Sequence, residues 1–377
     1  MSRMKLKDIA VEKNERVDNP SSSPYSVFVG LEHYDSGEAT IRRYGSTERL
    51  ESTMKVFHAG DILIARRNVY LKRAATVDFD GLTSGDSIVL HIEDEAYRRI
   101  IPFVLNTDDF WDYANQHADG SMSKRLSPKL LMEYEFSLPD EGIDQVSDIL
   151  WAMERVKTAY RELIARTDDL VKSQFIERFS GDDFLREPLK NNVEEMFIGP
   201  FGSALKNDCF VDQESGYCMV YEQKHAIQKT MDVPTRYVSE KKYQELKRFT
   251  VLPGDIIVSC RGTVGEIYAI PDDAPMGIMH PSIMKVRLKK NKYDKKFFVF
   301  ALEQFMQDHA RETNGTSIKM AVSASALEKE LFIVPELEKQ RRFVSFVEQS
   351  DKSKFAAQQT LKELTDAQKA LMKKIFE

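Results

Sequence analysis

Cysteine is scarce in this chain: Cys209, Cys218 and Cys260 are the only three in 377 residues, with no CxxC pair and no cluster of histidines. That excludes a disulfide framework and leaves no zinc-site spacing, so the thiols read as buried or idle. Long apolar runs are missing too. Nothing approaches the roughly 20 residues of a membrane span, and the N-terminal MSRMKLKDIAVEKNERV lacks the apolar stretch of a secretory signal, so a cytoplasmic protein with no membrane partner is expected. Positive charge is not in excess. A net charge of −6 argues against a generally basic nucleic-acid coat while leaving local basic surfaces open. Glycine and proline vanish from two stretches, Ile143 to Ser180 and Glu336 to the C-terminus. The rest is an ordinary folded composition, 42% apolar and 30% charged, in a chain long enough for two cores.

What is present is a repeat. HAGDILIARRNVYLKRAATV, from His58, is echoed by LPGDIIVSCRGTVGEIYAI, from Leu252. Gly60-Asp61 matches Gly254-Asp255 at an offset of 194, Gly120-Ser121 matches Gly315-Thr316 at 195, and Pro139 matches Pro335 at 196. Landmarks in the same order at nearly the same offset dictate a duplicated architecture. In each copy a Gly-Asp turn launches a β-branched strand, Ile62-Leu63-Ile64 or Ile256-Ile257-Val258, and further short strands follow. An aromatic-rich helix comes next, Phe103 to Tyr113 in one copy and Lys295 to Arg311 in the other, the latter with Asp294 as N-cap. After a glycine turn, a last strand ends at the proline.

The two stretches without glycine or proline read as long helices. Val146, Ile149, Met153, Val156, Tyr160, Leu163, Thr167 and Leu170 alternate three and four apart, the spacing of a coiled-coil seam. Phe343, Val347, Ser350, Lys354, Ala357, Leu361, Leu364, Gln368, Leu371 and Ile375 repeat the pattern. Narrow stripes suit a helix partner better than a globular core, so the two helices are expected to pair with each other. The expected order is a first domain over 1–139, a helix over 140–180, a second domain over 181–335 and a helix over 336–377. Antiparallel pairing of helices of about 38 residues makes a rod on the order of 55 Å, which could hold two readers more than one DNA turn apart.

The copies differ where a reader would. After the first strand one carries Arg66-Arg67-Asn68 and the other Arg261-Gly262-Thr263; later come Lys124-Arg125 against Lys319. Arginine forks suit guanine edges and phosphates, and Asn suits adenine, so these residues, with Lys72, Lys206 and Lys224, are the candidate DNA contacts. The alternative for each is a solvated surface charge.

On these residues the whole chain resembles the specificity subunits of type I restriction-modification systems. GDILIARRNVYLKRAATVDFDGLTSGDSIVL resembles the central segment of that family's target recognition domains, and PGDIIVSCRGTVGEIYAIP, IGPFGSALK and LFIVPELEKQRRFV are similarly typical. The resemblance implies an α+β chain of two tandem α/β target recognition domains, each followed by a long helix, the helices pairing as an antiparallel coiled coil. It implies a subunit that reads a bipartite site on double-stranded DNA and scaffolds two DNA methyltransferase subunits, which carry S-adenosylmethionine and modify adenine. Restriction/translocase subunits, using ATP and Mg, join for cleavage. The first junction, SLPDEGIDQVSDI, departs from the pattern by lacking the Glu-Lys-Gln run of PELEKQ, which puts the local subunit contact there in doubt.

No chemistry of the chain's own is legible. A glycine-rich cofactor turn and a [DN]PP[YF] motif are both missing, IGPFGSALK lacks phosphate-loop spacing, and no GxSxG elbow occurs. The chain is therefore expected to be non-catalytic, with no cofactor or metal of its own. The rival reading is a coiled-coil protein adaptor that reads no DNA sequence; an independent nuclease or methyltransferase is a further alternative.

Overall fold

The computed structural model describes residues 2–120, 123–181, 184–312 and 323–376. It divides into two domains, residues 1–165 with 354–377, and residues 166–353.

The first domain holds strands β1 (Ser2–Lys5), β2 (Val11–Lys13), β3 (Arg16–Val17), β4 (Val27–Val29), β5 (Gly45–Ser46), β6 (Met54–Phe57), β7 (Ile62–Ala65), β8 (Ala74–Thr76), β9 (Gly81–Thr83), β10 (Ser87–His91) and β11 (Glu135–Leu138). Helices α1 (Glu95–Val104), α2 (Asp108–His117) and α3 (Pro128–Met132) precede the long α4 (Ile143–Phe179), which passes into the second domain. There the strands are β12 (Arg186–Pro188), β13 (Val193–Ile198), β14 (Phe210–Val211), β15 (Cys218–Tyr221), β16 (Tyr237–Val238), β17 (Thr250–Val251), β18 (Ile256–Ser259), β19 (Ile267–Ala269), β20 (Gly277–Met279), β21 (Ile283–Leu288) and β22 (Leu331–Ile333). The helices are α5 (Gln223–Gln228), α6 (Glu240–Glu245), α7 (Lys295–Glu312), α8 (Ala324–Leu327) and the long α9 (Leu337–Phe376), whose C-terminal part belongs to the first domain.

Sheet order shows the duplication. The four-stranded sheet β2-β10-β7-β8 has its counterpart in β13-β21-β18-β19, and the pair β1-β11 in β12-β22. In the five-stranded sheets, β6-β9-β4-β5 matches β17-β20-β15-β16, each with one parallel pair, β4 with β9 and β15 with β20. The copies differ at the edges: β3 is added beside β6, whereas β14 is added beside β16.

The repeated GDILIA and GDIIVS runs are continuous apolar strands because β7 and β18 are buried on both faces. Ile62 and Ile64 face the core beneath the helices, with Ile100, Phe103 and Trp111, while Leu63 and Ala65 face the five-stranded sheet's side, with Val29 and Phe57. In the second domain Ile256 and Val258 pack with Phe297 and Leu302, and Ile257 packs with Tyr221 and Met279. The preceding turn is identical in construction. Gly60 and Gly254 take φ of 89° and 84°, which disfavours any residue with a Cβ, and the buried Asp61 and Asp255 accept from the backbone N–H of His58 (2.8 Å) and Leu252 (2.7 Å). The same aspartates then hold the residue at the end of the neighbouring strand: His91 Nδ1 lies 2.8 Å from Asp61, and Arg287 grips Asp255 through two bonds of 2.7 Å.

Two sequence expectations need correction. The single helix expected over Phe103–Tyr113 is two helices, broken because Thr107 caps α2 by accepting from Phe110 N–H at 3.3 Å, whereas Asp294 caps the uninterrupted α7 through Phe297 N–H, also at 3.3 Å. The seam of α4 also lies one residue away from the expected stripe. Ile149, Val156, Leu163 and Leu170 are each about half exposed, while Ser147, Leu150, Glu154, Lys157, Val171 and Phe179 are buried. One residue is about 100° of rotation, and the buried stripe was invisible to an apolar pattern because three of its positions are polar. In α9, by contrast, Phe343 is buried, Leu361 and Leu364 are half-buried, and Leu371 packs into the first domain's core.

Within each domain α4 and α9 pack against each other. In the first, Gln368 Nε2 donates to Leu150 O at 3.4 Å, and Gln368 Oε1 accepts from Lys157 Nζ at 2.8 Å. Lys157 also donates to Glu154 at 2.7 Å, and Arg42 joins Glu154 (3.1 Å), Thr158 (2.9 Å) and Glu38 (3.2 Å), so a loop of the sheet layer is tied to α4 through a buried ion network. Coulombic attraction from Lys157 and bonding to it outweigh burial and hold the Glu154 carboxyl below its ordinary range. The second domain uses phenylalanines instead. Phe175, Phe179, Phe297, Phe300 and Phe343 pack with ring centroids 5.0 to 6.0 Å apart.

Candidate nucleic-acid interface

The first domain's candidate residues gather where β7 ends and β10 begins. Arg66 N–H donates to Asp86 O at 2.9 Å, continuing the ladder between those strands past its last pair. A second segment, residues 123–126, then adds itself to the emerging loop. Asn68 N–H donates to Lys124 O and Leu126 N–H donates to Arg66 O, both at 2.8 Å, placing Arg67 opposite Arg125 in an antiparallel bridge. These two bonds flank the bridge, so Arg67 and Arg125 form a non-hydrogen-bonded pair whose Cα atoms are about 4.5 Å apart and whose side chains leave the same face. Asp86 stands between the guanidiniums, 3.5 Å from Arg67 and 3.4 Å from Arg125. Arg67 Nε donates to Ser123 Oγ at 2.9 Å, and Ser123 donates to Asn68 Oδ1 at 3.1 Å. Four of the expected contacts, Arg67, Asn68, Lys124 and Arg125, thus share one small cluster.

Their neighbours play different parts. Arg66 is half-buried with its Nε shielded, a scaffold position more than a reading one. Lys72 turns away to pair with Asp108 at the start of α2, and that cation holds the Asp108 carboxyl below its usual range. Lys124 bonds Asn115 O at 3.0 Å. Sequence reading missed Asp86 and Ser123, which organise the cluster, and Arg73, which donates to Leu31 O (2.9 Å) and Arg67 O (3.0 Å) from beneath the loop. It also missed the exposed Tyr70 beside them. Asp86 was within the quoted run, but nothing in TSGDSIVL marks a carboxylate that will face two arginines from elsewhere in the chain.

In the second domain the equivalent loop leaves β18. Cys260 N–H donates to Ser282 O at 2.8 Å as Arg66 does to Asp86, and Gly262 takes φ of 66° where Asn68 takes 55°. Arg261 is therefore the counterpart of Arg67, and Cys260 that of Arg66: the expected alignment of Arg66 with Arg261 was one residue out. Arg261 and Thr263 are exposed. Gln223 approaches Gly262 closely, its amide atoms 3.7 Å from where a Cβ would stand. Lys224 is 2.8 Å from Glu222, which also pairs with Arg236, and bonding to the two cations outweighs burial to keep the Glu222 carboxyl below its ordinary range. Lys206 is exposed in the turns after β13, with no bond linking it to the Arg261 loop among the described residues. Lys319 and the Gly315-Thr316 turn lie outside the described residues.

The other landmarks are structural. Gly199 of IGPFGSALK lets the chain leaving β13 pass close to the turn between β20 and β21, since a Cβ there would sit 2.3 Å from His280 O. His33 and His225, each four residues past matching ends of β4 and β15, accept through Nδ1 from the backbone N–H three residues before, at 2.9 and 3.0 Å. Burial pushes the Cys218 thiol up to about 11 and the Cys260 thiol up to about 12, which suits unreactive side chains. Among the described residues no three His, Cys, Asp or Glu groups gather as metal ligands, and no helix is long and apolar enough to cross a membrane.

Residues 205–365 match the family model of the type I restriction modification DNA specificity domain. No curated protein sequence matches the chain. Among solved structures it is similar to a chain from work on complex assembly and conformational transition of the type I R-M system, at 19% identity and a TM-score of 0.60, over 99% of this chain and 97% of that one. It is also similar to the type I restriction-modification S subunit from M. genitalium, at 13% identity and a TM-score of 0.51, over 100% and 96%. The HsdS subunit from Thermoanaerobacter tengcongensis aligns at 19% identity with a TM-score of 0.44, over 100% and 96%. The second half of the chain thus carries the match to the specificity-domain model, and the fold is shared end to end with the first two of these structures.

Proposed function

We propose that this chain is the reader of a multisubunit DNA methyltransferase, each domain recognising one half of a bipartite duplex site and the helices supporting two methyltransferase subunits. The observation that carries the reading is one loop built twice. The same strand ends in an arginine at the same backbone position in both domains, Arg67 and Arg261, while the surrounding residues differ: Asn68, Asp86 and Arg125 in one, Gly262 and Ser282 in the other. A shared framework with different side chains at its mouth is what two different half-sites require.

The exposed residues of α4 support the scaffold role. Ile149 and Val156, seven residues apart on the first domain's part of α4, are about half exposed, the spacing of a helix face that suits another helix. On this reading catalysis, S-adenosylmethionine and the modified adenine belong to the methyltransferase subunits. ATP and Mg belong to restriction subunits, and the assembly works in the cytoplasm. Binding of the assembled complex to random-sequence duplex pools at matched salt tests the proposal. Enrichment of a gapped two-part sequence supports it; equal retention of all duplexes contradicts it.

A further inference from the structure

Arg67 and Arg125 come from segments nearly 60 residues apart, yet they are bridged side by side with one carboxylate between them. Two cations meant for phosphates would gain from having no anion nearby, because phosphate binding rests on net positive charge. Asp86 removes half of that excess. It also stands at 3.5 and 3.4 Å, longer than a good hydrogen bond, so it orients the guanidiniums electrostatically without consuming their donors. Ser123 occupies the Nε of Arg67, which leaves the outer edge of that guanidinium open. Backbone bonds on both sides of the bridge fix the bases of the two side chains. Their separation of about 4.5 Å is close to the roughly 3.4 Å step between stacked bases, a difference that long side chains absorb.

We infer that Asp86 is a positioning residue that aims Arg67 and Arg125 at the guanines of two adjacent base pairs in the first domain's half-site. Bidentate arginine contacts to guanine O6 and N7 are the chemistry that an aimed fork performs and an unaimed one does not. In the second domain Ser282 replaces Asp86 and bonds His280 at 2.8 Å, and no partner holds Arg261 among the described residues. The device therefore belongs to one half-site only. The inference rests on the reading of the chain as a DNA specificity subunit.

The test is the methylation motif of the assembled complex, read by sequencing modified adenines, for the wild type and for Asp86→Asn, Asp86→Glu, Arg67→Ala, Arg125→Ala and Arg261→Ala. The wild-type motif is expected to contain adjacent guanine-bearing pairs in one half-site. Asp86→Asn should lower discrimination at both positions about tenfold while non-specific binding holds or tightens, and Asp86→Glu should restore part of it. Arg67→Ala and Arg125→Ala should each relax one of the two positions, and Arg261→Ala should alter only the other half-site. The intact second half-site reports that the variants fold. An unchanged motif in Asp86→Asn overturns the inference, as does a uniform loss of binding with a shallower salt dependence in Arg67→Ala, which marks phosphate contact. A wild-type complex that modifies no defined sequence overturns the specificity-subunit reading itself.

Discussion

Arg66 and Arg67 carry the same charge one residue apart and meet different surroundings. Arg66 turns its shielded Nε inward from the position that Cys260 fills in the second domain, and Arg67 reaches the face shared with Arg125. Arg66→Ala should therefore lower thermal stability and leave the recognised sequence unchanged, while Arg67→Ala should do the reverse; a motif altered by Arg66→Ala and not by Arg67→Ala contradicts the assignment. His225 gives a pH dependence. Burial disfavours its charged form and lowers its pKa from the usual 6.5. The unfolded chain thus takes up a proton that the folded domain resists, so this contribution to stability is complete above pH 6.5 and is lost as the pH falls below it. Melting temperatures measured on both sides of pH 6.5 should fall toward acid, and His225→Gln should flatten part of that slope, leaving the part due to His280, which burial shifts the same way. An undiminished slope in the variant would contradict this.

At the scale of elements, the buried polar seam of the first domain and the phenylalanine cluster of the second do the same work by different means. Lys157→Ala leaves Gln368 Oε1 and one oxygen of Glu154 buried without their donor, Arg42 still pairing the other oxygen, and should cost about 1–3 kcal/mol in denaturant unfolding. The double substitution Glu154→Leu with Lys157→Met should cost much less; equal losses would mean that the network is not coupled. Phe343→Ala should cost about 3–5 kcal/mol through the cavity it opens. These elements also mark the limits of sequence reading. The strands after Gly-Asp and the stretches without glycine or proline were legible because turn chemistry and backbone preference are local. The phase of α4 was not, because an apolar pattern selects Ile149, Val156, Leu163 and Leu170, and the helix buries Ser147, Glu154 and Lys157 instead. The break at Thr107 was missed for a different reason: the aromatics on either side were read as one run, across the polar Asn106-Thr107-Asp108-Asp109 that carries the capping hydroxyl.

For the whole molecule the repeat was the informative signal. Offsets of 194 to 196 residues foretold matching sheets, and the matching held down to single backbone bonds at Arg66 and Cys260. What the repeat could not reveal was the content of each site. Asp86 and Ser123 reach the Arg67 cluster from other segments, and tertiary convergence leaves no local trace in the sequence. The central claim is that two like-built domains read two unlike half-sites. Mapping methylated adenines in DNA exposed to this chain assembled with its methyltransferase subunits tests it most directly. The account predicts two different defined sequences separated by a constant gap of unspecified bases. Methylation without sequence preference, or confined to one uninterrupted sequence, would contradict it.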